Sequence, residues 1–159
     1  MGARAEELAS KFDQSCREFN AVVEKLSDVE WRKETASEKW SVGVVAHHVA
    51  GACEGIAGLV QAVAKGQPLP GLTMEAIHAM NATHAKEHAN TTKAETLSLF
   101  KTNAAKASSL VRGLSDVELD RSATLLGDRA MTTAQVIEGI LVHHINEHLG
   151  NIRATIGAK

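Results

Sequence analysis

The sequence contains no tyrosine, two prolines and two cysteines, and only 3% of its residues are aromatic. Few prolines, frequent alanine and no sustained alternation of β-branched with polar residues together predict an almost entirely helical chain. Cys16 and Cys53 form no Cys-x-x-Cys motif, and both lie in apolar patterns typical of helices. We interpret them as reduced core thiols of a cytoplasmic protein, because structural disulfides are rare in that compartment.

The sequence also lacks an excess of charge of either sign, with 17 basic residues against 19 acidic ones and a formal net charge of -2. A nucleic-acid-binding domain usually presents a basic stripe, so we expect no nucleic-acid partner. No uninterrupted apolar run reaches the roughly 18 residues of a membrane span. The beginning of the chain is amphipathic, contains acidic residues and lacks the pattern of a secretory signal. We therefore expect a cytoplasmic protein without membrane contact.

The main pattern in the sequence is the recurrence of apolar residues at the period of an α-helix. Apolar residues recur at steps of three and four in four long segments, which predicts amphipathic helices over residues 3–26, 41–65, 92–113 and 132–156. A break at 66–71 contains both prolines, and a shorter helix is predicted between residues 73 and 90. Four long helices in 159 residues predict an all-α, single-domain four-helix bundle over residues 1–159, with a short extra helix in the central connection.

Two nearly identical segments follow the first and third long helices, LSDVEW at 26–31 and LSDVEL at 114–119. Each of them precedes a long helix that carries a His-His pair. Ser27 and Glu30 have the spacing of a capping box, which predicts that a short helix begins there. Two interpretations stay open, a duplicated helix–turn–helix unit or one favourable capping sequence used twice.

The eight histidines are the unusual feature of the composition, and three of them fall within the last 17 residues. On a helix, His144 and His148 share a face with apolar residues at positions 137, 141, 152 and 156, so they interrupt an apolar seam. His48 interrupts the apolar face of the second long helix in the same way. The neighbouring His47 and His143 lie on more polar faces of the same two helices.

The three core-facing histidines have the spacing of a metal site. Two histidines at positions i and i+4 of a helix can bind one metal ion, and a third from a facing helix completes the set. This spacing therefore predicts a site for Zn, Ni, Cu or Fe(II) at His48, His144 and His148, with coordination positions open for water or substrate. The alternative is three hydrogen-bonded core histidines, although burying polar rings without partners costs free energy.

Three other patterns resemble metal motifs. The segment 144–148 spells H-x-x-E-H, but inverted zinc proteases need a later acidic ligand, and none of the 11 residues after it is acidic. Glu75 and His78 form one E-x-x-H motif, whereas a di-iron bundle needs two. His84 and His88 form another i, i+4 pair on a polar helix. They either face solvent, line a substrate mouth or bind metal adventitiously.

Three features of the sequence resemble the DinB-like superfamily, which includes YfiT-like metal-dependent hydrolases and thiol-dependent transferases. They are Trp40-Ser41-x6-His48 at the start of the second long helix, His144-x3-His148 in the last one, and the tail Gly150-Asn151-Ile152-Arg153. Their order and spacing match over nearly the whole chain. The resemblance implies an up-down-down-up bundle that binds a divalent metal (Zn, Ni or Fe) through His48, His144 and His148 at one end. It is also compatible with a homodimer.

The sequence departs from the family at one position that bears on the site. The family often has an acidic residue four places after the tryptophan, and here that place is Val44. One carboxylate that could support the metal ligands is therefore missing. Some members have Glu in place of the first histidine of the last pair, whereas His144 keeps this ligand set neutral.

Together with the predicted metal site, the resemblance implies a metal-dependent transferase that adds a low-molecular-weight thiol cosubstrate, bound as thiolate, to a small electrophile. The alternatives are hydrolysis by a metal-bound hydroxide and a non-catalytic, stress-linked bundle that binds a metal or ligand. Asn81, His84 and His88 are candidates to line the substrate mouth, and Arg153 either forms a surface ion pair or binds a substrate carboxylate. The weakest candidates are Glu147 and His143, as catalytic base or as support for the metal ligands.

Overall fold

Eight α-helices, one π-helical segment and one β-hairpin make up the part of the chain that the computed structural model describes, residues 2–69, 71, 73–125 and 129–157. In chain order these elements are α1 (Ala3–Glu24), α2 (Asp28–Arg32), α3 (Val42–Lys65), α4 (Met74–Glu87), α5 (Lys93–Arg112), α6 (Asp116–Asp120), β1 (Ser122–Leu125), β2 (Arg129–Thr132), α7 (Thr133–Val136), the π-helical segment (Ile137–Val142) and α8 (His143–Ile156). We call α7, the π-helical segment and α8 together the C-terminal helix.

Contacts at the helix ends show that α1 and α5 are antiparallel. Arg112, the last residue of α5, binds Glu6 in the first turn of α1 at 3.2 Å. Lys93, the first residue of α5, donates to the carbonyl oxygens of Glu24 and Leu26 at the far end of α1. Lys11 of α1 binds Glu138 of the C-terminal helix at 2.8 Å, so these two helices are neighbours. Arg121, hydrogen-bonded to Thr133 at the start of the C-terminal helix, donates to the carbonyl of Ala64 near the end of α3. His144, further along the C-terminal helix, contacts His48 near the start of α3, so the C-terminal helix is antiparallel to α3.

Helices α3 and α5 run parallel to each other. Near their starts, the Trp31 ring lies where a Cβ on Gly43 would stand, and its Nε1 donates to the carbonyl of Thr91. Near their ends, Lys65 of α3 binds Glu118 just beyond α5 at 2.6 Å. The bundle is therefore up-down-down-up, as the resemblance implied. Two parallel helices need a connection that crosses the length of the bundle, and this connection contains α4.

The core lies between α1, α3, α5 and the C-terminal helix, and the predicted apolar faces form most of it; on the C-terminal helix the core also includes Ile145 and Leu149, which lie outside the predicted face. Its fully buried members include Phe12, Phe19, Val45, Val49, Ile145 and Ile152. The rings of Phe19 and Phe100 pack with their centroids 4.5 Å apart. Burying each such side chain stabilises the fold by about 1.5–3 kcal/mol. Cys53 is buried, Cys16 packs against the core, and both are free thiols, as expected.

Helix α3 passes the length and composition test for a membrane span, although its sequence contains no uninterrupted apolar run of that length. In the structure, 56% of its most apolar window is buried. It contacts α5 and the C-terminal helix along the bundle. The apolar character of α3 therefore serves the protein core.

The helix starts follow the predicted capping residues. Ser27 and Thr92 form capping boxes with Glu30 and Glu95, and Ser41 accepts a hydrogen bond from the backbone N–H of Val44. Two helices end earlier than predicted. The first helix ends at residue 24 rather than 26, and the helix in the central connection ends at residue 87 rather than 90.

The two halves of the bundle share a local geometry. In each half a long helix is followed by a five-residue helix with a Ser-Glu capping box, α2 or α6. The carbonyl of Lys33 then accepts the N–H of Val42 at 2.8 Å, and the carbonyl of Arg121 accepts the N–H of Thr133 at 2.8 Å. Val42 and Thr133 are the first residues of the following helices. This equivalence favours the interpretation of a duplicated unit.

The β-hairpin was not predicted. Strands β1 and β2 pair antiparallel, with Ser122 opposite Thr132 and Leu125 opposite Arg129. Each strand has only four residues, the shortest length at which alternation indicates a strand, and the second, Arg-Ala-Met-Thr, does not alternate.

Candidate metal centre

His48, His144 and His148 lie together at one end of the bundle, and we call them the first histidine cluster. His48 lies in the second turn of α3, and the other two lie on α8. Their rings are 4.5–5.1 Å apart between centroids, and the Nε2 atoms of His48 and His144 are 3.0 Å apart. One nitrogen from each ring lies within 4.8 Å of the others. These partly buried imidazoles therefore direct ligand atoms to one shared point.

The π-helical segment Ile137–Val142 directly precedes the two histidines of α8. A π-helical turn is wider than an α-helical one, and such segments are frequent at functional sites. Ile137 and Leu141 anchor the segment because their side chains are buried in the core. The sequence pattern predicts one regular helix over residues 132–156 and gives no sign of this change in helical geometry.

Glu38 is the site residue that no sequence pattern predicted. Its Oε2 accepts a hydrogen bond from Nδ1 of His148 at 2.6 Å and another from the Asn151 amide at 3.0 Å. The Glu38 side chain is 8% exposed, and its Oε1 is buried without a partner in the described part of the chain. The bond to Nδ1 fixes the orientation of the His148 ring and leaves Nε2 for the shared point. Glu38 therefore supplies the supporting carboxylate that Val44 does not.

A strained turn places Glu38 next to the cluster. Lys39 has a φ of 64°, in the left-handed region that residues other than glycine rarely adopt. The turn is closed by hydrogen bonds between Thr35 and Trp40, including the Thr35 N–H to the Trp40 carbonyl at 2.8 Å. The Trp40 ring meets the His48 ring edge-on, with centroids 5.5 Å apart. Observed backbone strain of this kind often accompanies functional sites.

The electrostatics of the first cluster suit a metal cation. Burial, followed by the nearby His148, lowers the pKa of His48 to about 4 and that of His144 to about 3. Burial alone would raise the pKa of Glu38, but hydrogen bonds from Asn151 and His148 outweigh it and lower this pKa. At neutral pH, His48 and His144 are therefore neutral donors, and one carboxylate charge stands directly behind His148. The donor types, neutral state and convergence fit a divalent metal ion.

A second group of histidines adjoins the first, and we call His47, His84 and His88 the second histidine cluster. Nδ1 of His47 and Nε2 of His84 are 2.7 Å apart. The ring of His88 stacks on that of His47 with centroids 4.1 Å apart. Burial, followed by charge repulsion from His88, lowers the pKa of His47 to about 4 and also lowers that of His84. Among the residues predicted to line the substrate mouth, His84 lies next to the first cluster. Its ring centroid is 5.8 Å from that of His48.

The remaining predicted site residues lie elsewhere. His143 and Glu147 contact each other at 3.5 Å, and their side chains are 65% and 58% exposed, so the exposed face of α8 holds them outside the first cluster. Arg153 lines a shallow groove of about 660 Å³ together with residues of α1 such as Glu7 and Glu18. Asn81 is partly buried on α4, and it belongs to neither cluster.

Sequence comparison identifies the family. The sequence profile of the DinB superfamily matches residues 11–152. The chain belongs to the DinB superfamily. No curated protein sequence matches it at a significant level.

Solved structures share the DinB-like fold over nearly all of this chain. The mycothiol-dependent maleylpyruvate isomerase is 13% identical with a TM-score of 0.76, over 96% of this chain and 63% of that one. A mutant of that isomerase gives 12% identity, a TM-score of 0.75 and the same coverage. YfiT from Bacillus subtilis, described as a probable metal-dependent hydrolase with an unusual four-helix bundle topology, is 15% identical with a TM-score of 0.73, over 100% of this chain and 91% of that one. These identities show a common fold, and this chain spans less than two thirds of the isomerase.

Proposed function

We propose that this DinB-like protein is a metal-dependent transferase that adds a low-molecular-weight thiol to a small electrophile. The observation that carries the proposal is the convergence of His48, His144 and His148, with Glu38 bound behind His148. The fold shared with a mycothiol-dependent enzyme adds support for a thiol as cosubstrate. The metal is Zn, Ni or Fe, which are the divalent ions that neutral imidazoles bind well.

The residues of the first cluster suit a thiol because all three ligands are neutral imidazoles. They do not offset the positive charge of a bound metal ion, which would therefore favour an anionic further ligand. A divalent metal held by three imidazoles supplies a site where a thiol binds as thiolate, the nucleophilic form. Glu38 holds His148 in one tautomer and orientation, because its carboxylate can only accept the proton of Nδ1. Trp40 packs edge-on against His48 and restricts that ring.

Hydrolysis is the alternative reaction, and the position of the nearest carboxylate disfavours it. A hydrolase needs a proton acceptor beside the attacking water. Oε2 of Glu38 is engaged by His148 and Asn151, and the predicted base candidates, His143 and Glu147, contact each other on the exposed face of α8. A thiol, with an ordinary pKa of about 8.5, would release its proton to solvent on binding a metal more readily than water does, so the residues present suit thiol transfer better.

The metal content of protein purified without a histidine tag tests the first step. We expect the wild type to hold metal in the first cluster, and both His48→Ala and His144→Ala to lose that metal while their helical circular dichroism persists. His143→Ala is the matched control, because it removes the exposed histidine next to His144. Equal metal content in wild type and both variants would contradict the three-histidine site.

Thiol binding tests the second step. We expect mycothiol or cysteine to raise the melting temperature of the Zn-loaded wild type, because a ligand that binds only the folded state stabilises it. In a His84→Ala background, which removes the second histidine cluster, the same thiols should stabilise the Zn-treated protein only when His144 is present. A stabilised wild type would then be assayed with mycothiol and maleylpyruvate and with other small electrophiles. Metal binding without any thiol effect would contradict the transferase and favour the hydrolase or the non-catalytic alternative.

The proposed partners are small molecules, with neither nucleic acid nor a membrane among them, and the proposed location is the cytoplasm. Both cysteines are free, which agrees with this location because structural disulfides are rare there. Burial raises the pKa of Cys53 to about 12 and raises that of Cys16 as well. Both therefore stay protonated and unreactive at neutral pH. A homodimer stays a prediction, which sedimentation analysis of the purified protein would test.

A further inference from the structure

Helix α4 is joined to the bundle mainly through histidines. None of the residues of Met74–Glu87 is buried, and Met74 and Met80 are 52% and 57% exposed. Hydrophobic burial therefore contributes little to holding α4 in place. The helix contacts α3, and the ring contacts between the two helices are made by His84 and His88 with His47 and His48.

The second histidine cluster has the geometry of a metal site. One nitrogen from each of its three rings lies within 4.8 Å of the others, as in the first cluster. The ring centroids of His84 and His88 are 4.6 Å apart, and that of His47 lies 4.9 Å from His84 and 4.1 Å from His88. His84 and His88 are four residues apart at the end of α4, and the third ring comes from the facing helix.

The polar atoms of this cluster are not satisfied by the protein alone. Nδ1 of His84 is buried and has no hydrogen-bond partner among the described residues. In a neutral imidazole one ring nitrogen carries the proton, so a protonated Nδ1 leaves Nε2 of His84, the atom that faces His47, free to bind an ion. Two nitrogens bound to one tetrahedral zinc ion stand about 3.4 Å apart. The observed 2.7 Å between His47 and His84 reaches that separation by a small rotation of either side chain.

We propose that His47, His84 and His88 form a second divalent-metal site, which ties α4 to α3 beside the first histidine cluster. Three imidazole ligands leave a coordination position open, so the site takes Zn²⁺ or a similar ion together with water or an anionic group. Because His84 is 5.8 Å from His48 between ring centroids, α4 forms a wall of the first cluster when it is held there. The proposal does not depend on thiol transfer, since it concerns metal binding alone.

Zinc stoichiometry of the full-length, tag-free protein tests this site. After removal of metal with a chelator, calorimetric titration with Zn²⁺ should give two ions per wild-type chain. His84→Ala and His88→Ala should each bind one ion, as should His144→Ala, which loses only the first site. His78→Ala should still bind two, because this exposed histidine lies on the same helix outside both clusters. One ion per wild-type chain that His84→Ala keeps and His144→Ala loses, or two ions in His84→Ala and His88→Ala, would overturn the proposal.

Hydrogen exchange of α4 provides a second readout that does not depend on counting ions. Zn²⁺ should slow amide exchange over residues 74–87 in the wild type, in His144→Ala and in His78→Ala. The slowing should be absent in His84→Ala and His88→Ala, while exchange in α5 stays the same in all variants. A variant that loses protection in α5 as well has failed to fold and is replaced by His84→Gln or His88→Gln. Equal protection of α4 with and without Zn²⁺ in the wild type would overturn the proposal.

Discussion

Glu38 and His148, which are 110 residues apart in the sequence, are joined by a hydrogen bond of 2.6 Å between Oε2 and Nδ1. Asn151, from the tail that carried the resemblance to the DinB-like superfamily, donates to the same oxygen at 3.0 Å. The carboxylate therefore connects the turn before α3 to α8, across the end of the bundle that contains the first histidine cluster. A ligand ring held in this way needs no reorientation when a metal ion binds.

Replacing this carboxylate should weaken metal binding. In Glu38→Gln the charge behind His148 is lost, although the amide oxygen can still accept the hydrogen bond from Nδ1. Changes of this kind in groups that support a metal ligand typically reduce metal affinity by about 10–100-fold. Competition against a chelator of known affinity would measure the change at the first cluster, in a His84→Ala background that removes the second one.

Glu34→Gln is the matched control for this experiment. Glu34 precedes the same turn and is exposed, so its substitution should leave metal affinity unchanged. Both variants should keep the helical circular dichroism of the wild type. If Glu38→Gln binds zinc as tightly as Glu34→Gln, Glu38 does not support the metal ligands.

Two glycines of α3 should respond in opposite ways to the same substitution. A Cβ at Gly43 would stand 2.4 Å from a ring carbon of Trp31, whereas nothing lies within 4 Å of a Cβ at Gly51. We expect Gly43→Ala to destabilise the protein by about 1–3 kcal/mol, because the buried helix start must move away from the ring. Gly51→Ala should stabilise it by about 0.5–1 kcal/mol, because alanine loses less entropy in a helix. Urea unfolding would measure both, and equal effects would contradict the close packing of Trp31 on α3.

Local patterns were sufficient to predict most of the fold and part of the site. The helical period separated His48 from His47, and the spacing i, i+4 paired His144 with His148. Glu38 could not be found in this way, because it lies in an irregular turn where no periodicity applies. The meeting of His47 with His84 depends on where α4 returns to the bundle after the connection, and a local pattern contains no information on that position. The π-helical segment likewise depends on how Ile137 and Leu141 pack in the core.

The left-handed turn at Lys39 should be sensitive to side-chain shape. A φ of 64° costs an L-residue about 1–2 kcal/mol, and the cost is greatest for a β-branched side chain. We expect Lys39→Val to lower the free energy of unfolding by about 1–2 kcal/mol and Lys39→Gly to be at least as stable as the wild type. Lys33→Val is the control, since Lys33 is exposed with an extended backbone, φ −63° and ψ 140°. Equal urea midpoints for Lys39→Val and Lys33→Val would show that the turn carries no strain.

Stability should fall in acid partly through Glu118, far from both histidine clusters. The hydrogen bond from Lys65, followed by the backbone N–H of Ser115, lowers the pKa of this carboxyl from 4.5 to about 2. A group with a lowered pKa stabilises the folded protein fully above its unfolded pKa, and this contribution is lost as the pH falls from about 4.5 towards 2. Glu118→Gln keeps the capping box of α6, since glutamine also serves there, but lacks the charge.

The wild type should therefore lose its advantage over Glu118→Gln progressively as the pH falls from about 4.5 towards 2, as measured by urea unfolding. The same comparison in a Lys65→Met background, with and without Glu118→Gln, should show a smaller dependence on pH, because the main donor to the carboxylate is absent. An advantage of the wild type over Glu118→Gln that stays constant down to about pH 3 would show that the ion pair with Lys65 does not hold the pKa of Glu118 down.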